Sequence, residues 1–327
     1  MKKMWKLWLM SALAVFLLAA CGTATTEEKP LVDVTEPEEE VATDDVVEAA
    51  FPITITDAVG NDITLETAPA TIVSLVPSNT EILFALGLAT EIVGVSSNDN
   101  YPEEALEKDI IGDMNFDVEK IVAMNPEIVF AHESGLGSGA EGLQQIRDAG
   151  IPVFVVTNAA SFEETYTTIE TIGKATGKTT EAEKIVADMK TKVEEVTAKV
   201  ASVDNKRTVF VETSPAPSIY TPGNNTFMNE MLNMIGAENI AADQEGWVEM
   251  SPEEIVNRNP DIIMVMYSYI DTAVEDVYKR DGFDSITAIK NKAVVQVDEN
   301  KTSRTGPRLG EGLEEVAKAI YPEAFGE

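Results

Sequence analysis

The sequence is poor in the residues on which most metal sites and much covalent catalysis depend. Among 327 residues there is one cysteine, Cys21, and one histidine, His132. A single cysteine excludes a disulfide framework within the chain and any metal site built from several cysteines. One histidine leaves little scope for a histidine-based zinc site or a proton relay. Most enzyme chemistries are therefore disfavoured from the outset.

Positive charge is also scarce. Lys and Arg together number 24 against 57 Asp and Glu, which gives a net charge of −33. Nucleic acids and anionic membrane surfaces would repel such a chain, so neither is an expected partner. With 44% hydrophobic and 25% charged residues the composition is that of a globular protein. At roughly 150 residues per domain, the length predicts about two lobes.

The first 50 residues separate into two pieces. Residues 1–20 contain three lysines and no acid, and their apolar run is too short for a stable membrane-spanning helix, which predicts a secretory signal peptide. Small residues directly precede Cys21. Residues 22–50 carry ten acids, one lysine and no aromatic residue, so they cannot bury enough apolar surface to fold. We expect residues 21–50 to be an extended acidic tether, with an acidic interaction tail as the alternative.

The remaining body, residues 51–327, alternates strand and helix patterns. Residues 51–65 alternate apolar and polar side chains around a turn, which predicts a β-hairpin. An apolar strand over 71–75 is followed by a helical pattern, for which Ser78 or Asn79 is the expected N-cap. Repeated alternation of strands and helices predicts an α/β fold with parallel sheets covered by helices on both faces.

A long amphipathic pattern without Gly or Pro runs from Thr179 to Val203. Its position near the middle of the body predicts a helix that joins two lobes. We therefore expect an N-terminal lobe over 51–174, an interlobe helix over 175–203 and a C-terminal lobe over 204–327.

One segment of the body is repeated. Residues 118–129 align without a gap with residues 252–263, sharing a glutamate, an Ile-Val pair and an Asn-Pro-acid-Ile run. Each copy reads as a short helix that ends near Asn-Pro and precedes an apolar strand. The two lobes are therefore expected to repeat one topology, with Glu119 and Glu253 at equivalent exposed points. The alternative is that each glutamate only stabilises the start of its helix.

These motifs resemble those of the substrate-binding lipoproteins of bacterial ABC importers for cobalamin, ferric siderophores and haem. Within that family the chain looks most similar to cobalamin-binding proteins, through residues 77–81 and Trp247. The matching stretches cover nearly all of 51–327, and the lipobox that ends at Cys21 precedes them. They are residues 59–65, 72–81, 93–102, the repeated glutamate segment, the long helix, 236–239 and 304–308.

The resemblance implies two Rossmann-like lobes joined by one rigid helix, as in class III solute-binding proteins, with the ligand held in the cleft between them. It also implies that Cys21 is acylated and anchors a monomer to the extracytoplasmic face of the cell membrane. The partners implied are a permease and its ATPase, and Glu119 and Glu253 fall on the positions that dock onto permease arginines.

The same resemblance places Tyr220 and Trp247 at aromatic ligand-contact positions, which suit a large flat corrin or haem. Near Asn98 and Asp113 the N-terminal lobe is polar where the family pattern has aromatic walls. Ferric siderophore and haem therefore stay open as ligands beside cobalamin, which is favoured. No resident cofactor or metal is expected.

Four further residues are candidate ligand contacts. His132 follows an apolar strand and is a contact or iron ligand, or else an ordinary loop histidine. Arg304 pairs with an anionic group such as a propionate or phosphate, or forms a surface or interlobe salt bridge. Ser78 and Asn79 offer donors at a helix start, or serve only as caps.

Two other classes of function fit the sequence less well than a solute receptor does. A carboxylate- or metal-dependent surface enzyme is disfavoured because the chain lacks HExxH, GxSxG, Walker A and GxGxxG motifs in a suitable context. A structural or adhesion protein would fit the acidic tether but not the duplicated α/β lobes. We therefore predict a receptor that is not an enzyme.

Overall fold

A computed structural model of the protein describes residues 50–326. The predicted signal peptide, the lipidation site Cys21 and the predicted tether up to residue 49 lie outside the described residues. Within 50–326, none of the helices has the length and apolar character needed to cross a bilayer.

The described residues form thirteen strands. They are β1 Ile53–Thr56, β2 Asp62–Leu65, β3 Ile72–Ser74, β4 Ile92–Val95, β5 Asp109–Ile110, β6 Ile128–His132, β7 Val153–Val156, β8 Thr208–Glu212, β9 Tyr220–Pro222, β10 Glu238–Asn239, β11 Trp247–Glu249, β12 Ile262–Val265 and β13 Val294–Gln296.

The same residues form eleven α-helices. They are α1 Pro77–Ala85, α2 Val118–Met124, α3 Leu136–Asp148, α4 Phe162–Thr176, α5 Thr179–Val200, α6 Phe227–Met234, α7 Pro252–Arg258, α8 Ala273–Tyr278, α9 Thr287–Lys290, α10 Glu299–Ser303 and α11 Leu309–Ile320. Short 3₁₀ turns lie at Glu103–Glu107, Glu133–Gly135, Phe283–Ser285 and Pro322–Phe325.

The N-terminal lobe is built on a five-stranded parallel sheet in the order β5-β4-β3-β6-β7. All five residues of β6 are buried, as expected for a parallel strand covered on both faces. The predicted hairpin is present as β1 and β2, with Ile53 opposite Leu65. Its apolar side chains alternate with exposed ones, so one face of the hairpin packs on the core.

The C-terminal lobe is built on a four-stranded parallel sheet in the order β10-β8-β12-β13, with a separate antiparallel pair formed by β9 and β11. The run β4-β3-β6-β7 of the first sheet corresponds to β10-β8-β12-β13 of the second. The predicted repetition of topology is therefore confirmed.

Helices α2 and α7, which carry the repeated segment, are alike in detail. Both are seven residues long and both have a side-chain N-cap, Asp117 in α2 and Ser251 in α7. Both end at an asparagine in the left-handed region, Asn125 with φ 47° and Asn259 with φ 48°. Each helix then leads into a buried strand at the centre of its lobe, β6 or β12.

Helix α5 begins at Thr179 and ends at Val200, three residues before the end of the amphipathic pattern. Two residues separate it from α4, because Gly177 adopts a left-handed conformation (φ 74°) that closes α4. The helices then pack closely, since a Cβ atom on Gly173 of α4 would lie 2.4 Å from the Cβ of Ala182 in α5.

One hydrophobic core extends through both lobes. It includes Ile72 and Phe130 from the first sheet and Val209 and Met264 from the second. Buried residues of α4, α5 and α11 belong to the same cluster, and α5 packs against both of the other helices. The lobes are therefore joined by shared packing as well as by the chain.

Candidate functional site

A cavity of about 570 Å³ lies between the two sheets. Its walls follow the carboxyl ends of parallel strands, the edge at which open α/β sheets place their ligands. The lining residues are Val76, Pro77, Ser78, His132, Ser134, Asn158, Ala159 and Ala160 of the N-terminal lobe, and Asn225, Thr226, Phe227, Trp247, Glu299, Asn300, Ser303, Arg304 and Thr305 of the C-terminal lobe.

The structure brings four of the six candidate ligand contacts together in this cavity. Ser78, His132, Trp247 and Arg304 all line it. Tyr220 is not among the residues that line the cavity. It lies on β9, is 42% exposed and pairs with Glu249 of β11. Tyr220 is thus a neighbour of the strand that carries Trp247.

Asn79, the sixth candidate, lies within the protein interior. Its side chain is fully buried, and Nδ2 donates hydrogen bonds to the carbonyl oxygens of Ala131 (3.0 Å) and Phe130 (3.4 Å). The amide therefore ties α1 to β6. These bonds satisfy Nδ2 without a ligand, whereas Oδ1 has no hydrogen-bond partner among the described residues.

The expectation that Ser78 or Asn79 caps α1 is wrong. The helix begins earlier, at Pro77, and its N-cap is Val76, which makes no side-chain cap. Proline suits the first helical position because it lacks an N–H group and its φ angle is already helical. The candidate role that remains for the Ser78 hydroxyl is contact with a ligand.

Trp247 is the large aromatic side chain that the cavity exposes. It is 44% exposed, and its ring lies 5.8 Å from the ring of Phe227, which is buried. Strand pairing with Pro222 fixes the backbone of Trp247. The two rings, tilted by 54° to each other, give the C-terminal lobe an aromatic surface, which suits a flat ligand.

His132 is nearly buried, at 8% exposure, at the end of β6. The backbone N–H of Ser134 donates to Nδ1 (3.2 Å), and the Ser134 hydroxyl lies 2.8 Å from the same nitrogen. Burial lowers the pKa of the imidazole, with Glu133 opposing the shift, so the ring is neutral at pH 7. A proton on Nε2 follows from the bond that Nδ1 accepts, which favours hydrogen-bond donation over ligation of iron.

Arg304 takes part in the interlobe salt bridge that was the alternative to ligand pairing. The Glu81 carboxylate of α1 accepts bonds from Arg304 Nη1 (2.8 Å) and from Arg308 Nε (2.8 Å) and Nη2 (2.7 Å). Glu81 is only 3% exposed, so this is a buried carboxylate held between two guanidinium groups. We call these three residues the interlobe clamp.

The other cavity walls are dominated by hydroxyl and amide groups. Among the lining residues of the described chain, only Arg304 and Glu299 are charged when His132 is neutral. The Glu299 carboxylate accepts bonds from the backbone N–H (2.9 Å) and hydroxyl (2.8 Å) of Ser268. The cavity is therefore polar with little net charge.

Sequence reasoning missed several of these residues. Phe227 begins α6 after the Thr226 N-cap, and that capping signal alone could have placed it at a strand-to-helix junction. Glu81 directly precedes the apolar residues 82–86, and a glutamate beside such a run is a signal for a paired buried charge. Nothing in the local sequence identified Arg308 as its partner.

The polar character expected for the N-terminal wall agrees with the structure. No aromatic side chain of that lobe lines the cavity within the described residues. The Asn98 backbone carbonyl lies 3.4 Å from Arg304 Nη2, while Asp113 lines a separate small pocket beside His132. Both walls therefore carry hydroxyl and amide groups, and they differ in that Phe227, Trp247 and the charged residues all belong to the C-terminal wall.

Glu119 and Glu253 lie away from the cavity, in the first turns of α2 and α7. Both are exposed, and neither carboxylate has an ion-pair partner among residues 50–326. Neighbouring charges are paired instead: Lys120 with Asp109, and Glu254 with Arg258. In the described part of the chain, no group of three His, Cys, Asp or Glu side chains is placed to bind a metal ion.

Comparison with known proteins agrees with this architecture. The periplasmic binding protein family matches residues 72–301. This chain belongs to the periplasmic binding protein family. The resemblance recognised in its sequence motifs is thereby confirmed, as is the α/β fold class with parallel sheets.

Three known proteins are similar to this periplasmic binding protein over most of their length. The ABC transporter substrate-binding lipoprotein YvrC of Bacillus subtilis is 45% identical over 330 residues, covering 100% of both chains. A cobalamin-binding protein of Halobacterium salinarum is 29% identical over 282 residues, covering 83% of this chain and 75% of its own. The crystal structure of a possible iron-binding periplasmic solute-binding protein of Staphylococcus epidermidis superposes with a TM-score of 0.72 at 38% identity, covering 78% of this chain and 100% of its own.

Proposed function

We propose that this protein is the extracytoplasmic substrate-binding component of an ABC importer and that it binds cobalamin in the cavity between its lobes. The observation that carries the proposal is the cavity itself, in which an exposed tryptophan is combined with hydroxyl and amide groups from both lobes. The similarity to a cobalamin-binding protein of Halobacterium salinarum supports the choice of ligand.

The chemistry of the walls matches a corrinoid. A corrin macrocycle presents an apolar face, which the neighbouring rings of Trp247 and Phe227 are suited to cover. Its rim carries neutral amides, which hydrogen-bond well to groups such as Ser78, Asn158 and Asn225. A catecholate siderophore or the two propionates of haem would call for more positive charge than Arg304 supplies.

An iron-containing ligand is the second candidate, and it is favoured by a similar structure and by one residue of the cavity. The similar structure from Staphylococcus epidermidis is described as possibly iron-binding, and His132 lines the cavity here. Ligation through Nε2 would require the imidazole proton to move to Nδ1, at the expense of the bond from the Ser134 N–H.

The proposed transport role includes a membrane anchor and a docking surface. We propose that residues 1–20 are removed, that Cys21 is acylated, and that a monomer delivers its ligand to a permease driven by an ATPase. Glu119 and Glu253, exposed at equivalent points of the two lobes, would contact basic patches of that permease. Such contacts set orientation and rate of encounter more than affinity.

Tryptophan fluorescence tests the ligand directly. Two of the three tryptophans, Trp5 and Trp8, lie in the leader, so a chain starting at residue 22 retains only Trp247. Titration with cyanocobalamin should quench its emission and raise the melting temperature. Haemin and ferric siderophores serve as competitors. If cyanocobalamin leaves both signals unchanged while an iron ligand alters them, the iron candidate replaces cobalamin; if none acts, the receptor role is wrong.

A further inference from the structure

The interlobe clamp contains more positive than negative charge. Two guanidinium groups, Arg304 and Arg308, surround one carboxylate, Glu81, so the three side chains carry a net charge of +1. All three are largely shielded from solvent, with side-chain exposures of 12%, 13% and 2%. An unbalanced charge in such surroundings is costly, so a counter-charge should be found near it.

The two arginines engage the carboxylate differently. Arg308 uses Nε and Nη2 on both carboxylate oxygens, which is the bidentate geometry that best neutralises a carboxylate. Its guanidinium also stacks on the Tyr101 ring, 3.7 Å from the ring centre. Arg308 belongs to the groove on the Tyr101 side of the clamp and is not part of the cavity wall.

Arg304 holds the carboxylate less completely. It makes one hydrogen bond to Glu81, through Nη1, and a long contact of 3.4 Å from Nη2 to the Asn98 carbonyl. Unlike Arg308, it lines the cavity. Because Arg308 alone can satisfy Glu81, the charge of Arg304 is the one left over.

We propose that Arg308 neutralises Glu81 and thereby leaves the charge of Arg304 available to a single anionic group of the bound ligand. This inference rests on the proposed function, and in cobalamin the group is the phosphodiester of the nucleotide loop. Arg308 is then a positioning residue, which acts on the ligand through Glu81 and Arg304 without touching it.

Neither Asp99 nor Asp298 forms an ion pair with Arg304 among the described residues. Burial raises the pKa of Asp99, against hydrogen bonds from Thr80 and Ser96 and the attraction of Arg304. Glu299 directs one carboxylate oxygen to two donors on Ser268 and forms no ion pair with Arg304 in the described chain.

A pair of corrinoids separates the nucleotide loop, which carries the phosphodiester, from the macrocycle. Cyanocobalamin contains it, whereas dicyanocobinamide has the same macrocycle without the nucleotide loop. Calorimetric titration of the full chain in detergent should show that Arg304→Gln weakens cyanocobalamin roughly 10- to 100-fold, the cost of a lost charged hydrogen bond. The affinity for dicyanocobinamide should stay within about twofold.

Arg308→Gln provides the sharper test because Arg308 is outside the cavity wall. Without it, Glu81 must be neutralised by Arg304, so cyanocobalamin should again weaken selectively and by a similar factor. The double variant Glu81→Gln/Arg308→Gln removes the competing carboxylate and should restore cyanocobalamin affinity to within about twofold of the unaltered protein. A merely structural role for Arg308 would not be rescued in this way.

Arg258→Gln is the matched control, because it removes an ion-paired arginine of the same lobe that is not in the cavity wall. It should change neither affinity, and melting curves should confirm that each variant is folded. Equal weakening of both corrinoids by Arg308→Gln, or failure of the double variant to recover, overturns the inference while the proposed function stands. If the unaltered protein binds neither corrinoid, the proposed function fails and the inference with it.

Discussion

The two lobes repeat one topology but present different surfaces to the cavity. The N-terminal lobe contributes small polar groups such as Ser78 and Asn158, together with the neutral imidazole of His132. The C-terminal lobe contributes hydroxyl and amide groups as well, and adds the aromatic pair Phe227 and Trp247 and the charged residues Glu299 and Arg304. On the outside the lobes stay alike, since α2 and α7 share length, capping and an exposed first-turn glutamate. The lobes are thus alike in their outer helices and differ in the residues that line the cavity.

Reversing the charge of the outer glutamates should have the largest effect. In the variant Glu119→Arg/Glu253→Arg, cobalamin uptake by cells should be abolished, because arginines of the permease would meet like charges, while affinity for cobalamin is unchanged. Each single variant should lose a similar part of the uptake if the two lobes dock equivalently.

The control for this variant is Glu183→Arg/Glu194→Arg, which makes the same charge change at exposed positions of α5. It should leave uptake intact. Normal uptake in the Glu119→Arg/Glu253→Arg variant would show that the repeated glutamates serve only their own helices.

The difference between the cavity walls predicts unequal losses of affinity. Trp247→Ala should weaken cobalamin binding roughly 30-fold or more, because buried tryptophan contacts commonly contribute at least about 2 kcal/mol. Ser78→Ala on the opposite wall should cost about fivefold, the worth of one neutral hydrogen bond. Calorimetric titration measures both, and equal losses would mean that the two walls contribute alike.

The left-handed asparagines that end α2 and α7 offer a test of the repeat at the level of stability. Asn125→Gly should raise the free energy of unfolding by up to about 1 kcal/mol, since glycine adopts this conformation without steric cost. Asn259→Gly should instead lower it by about 1 kcal/mol, because Asn259 Oδ1 accepts bonds from the Thr287 N–H (2.8 Å) and hydroxyl (3.1 Å). Urea denaturation of both variants checks the sign, and equal shifts would contradict this account.

His132 should produce an effect that is visible only as a pH dependence. Burial lowers its folded-state pKa below 6.5, so the unfolded chain binds a proton more readily. The stability contributed by the neutral ring is present above pH 6.5 and is lost as pH falls towards the folded-state pKa, at no more than about 1.4 kcal/mol per pH unit. The stability difference between the unaltered protein and His132→Gln should therefore be larger at pH 7.5 than at pH 5.5. Since His132 is the only histidine, a difference that does not change with pH would contradict the assigned burial.

Much of the fold followed from local patterns. The hairpin of β1 and β2, the alternation of strands and helices, and the paired helices α2 and α7 each depend on residues within about a dozen positions of one another. Periodicity and capping record such short-range preferences directly. The start of α1 was misplaced because the preference of Pro77 for the first helical position outweighed the cap signals after it.

The details of the site were harder to predict, because they depend on distant residues. Glu81 and Arg304 are separated by 223 positions, and nothing near either residue indicates their contact. Asn79 is of a residue type that suits a helix cap or a ligand contact. Its side-chain amide instead donates a hydrogen bond to a carbonyl group of β6. The aromatic and basic residues of one wall could be predicted from the resemblance to a family. The second arginine of the interlobe clamp could be identified only from the structure.

The hydrophobic core that runs through both sheets has a consequence for how the protein melts. Because side chains such as Phe130 and Val209 belong to one cluster, loss of either lobe would expose apolar surface on the other. The lobes should therefore unfold together in one calorimetric transition, with equal calorimetric and van't Hoff enthalpies, although each sheet is large enough to resemble a separate domain. A molecule built from two repeated halves would then behave thermodynamically as a single folding unit.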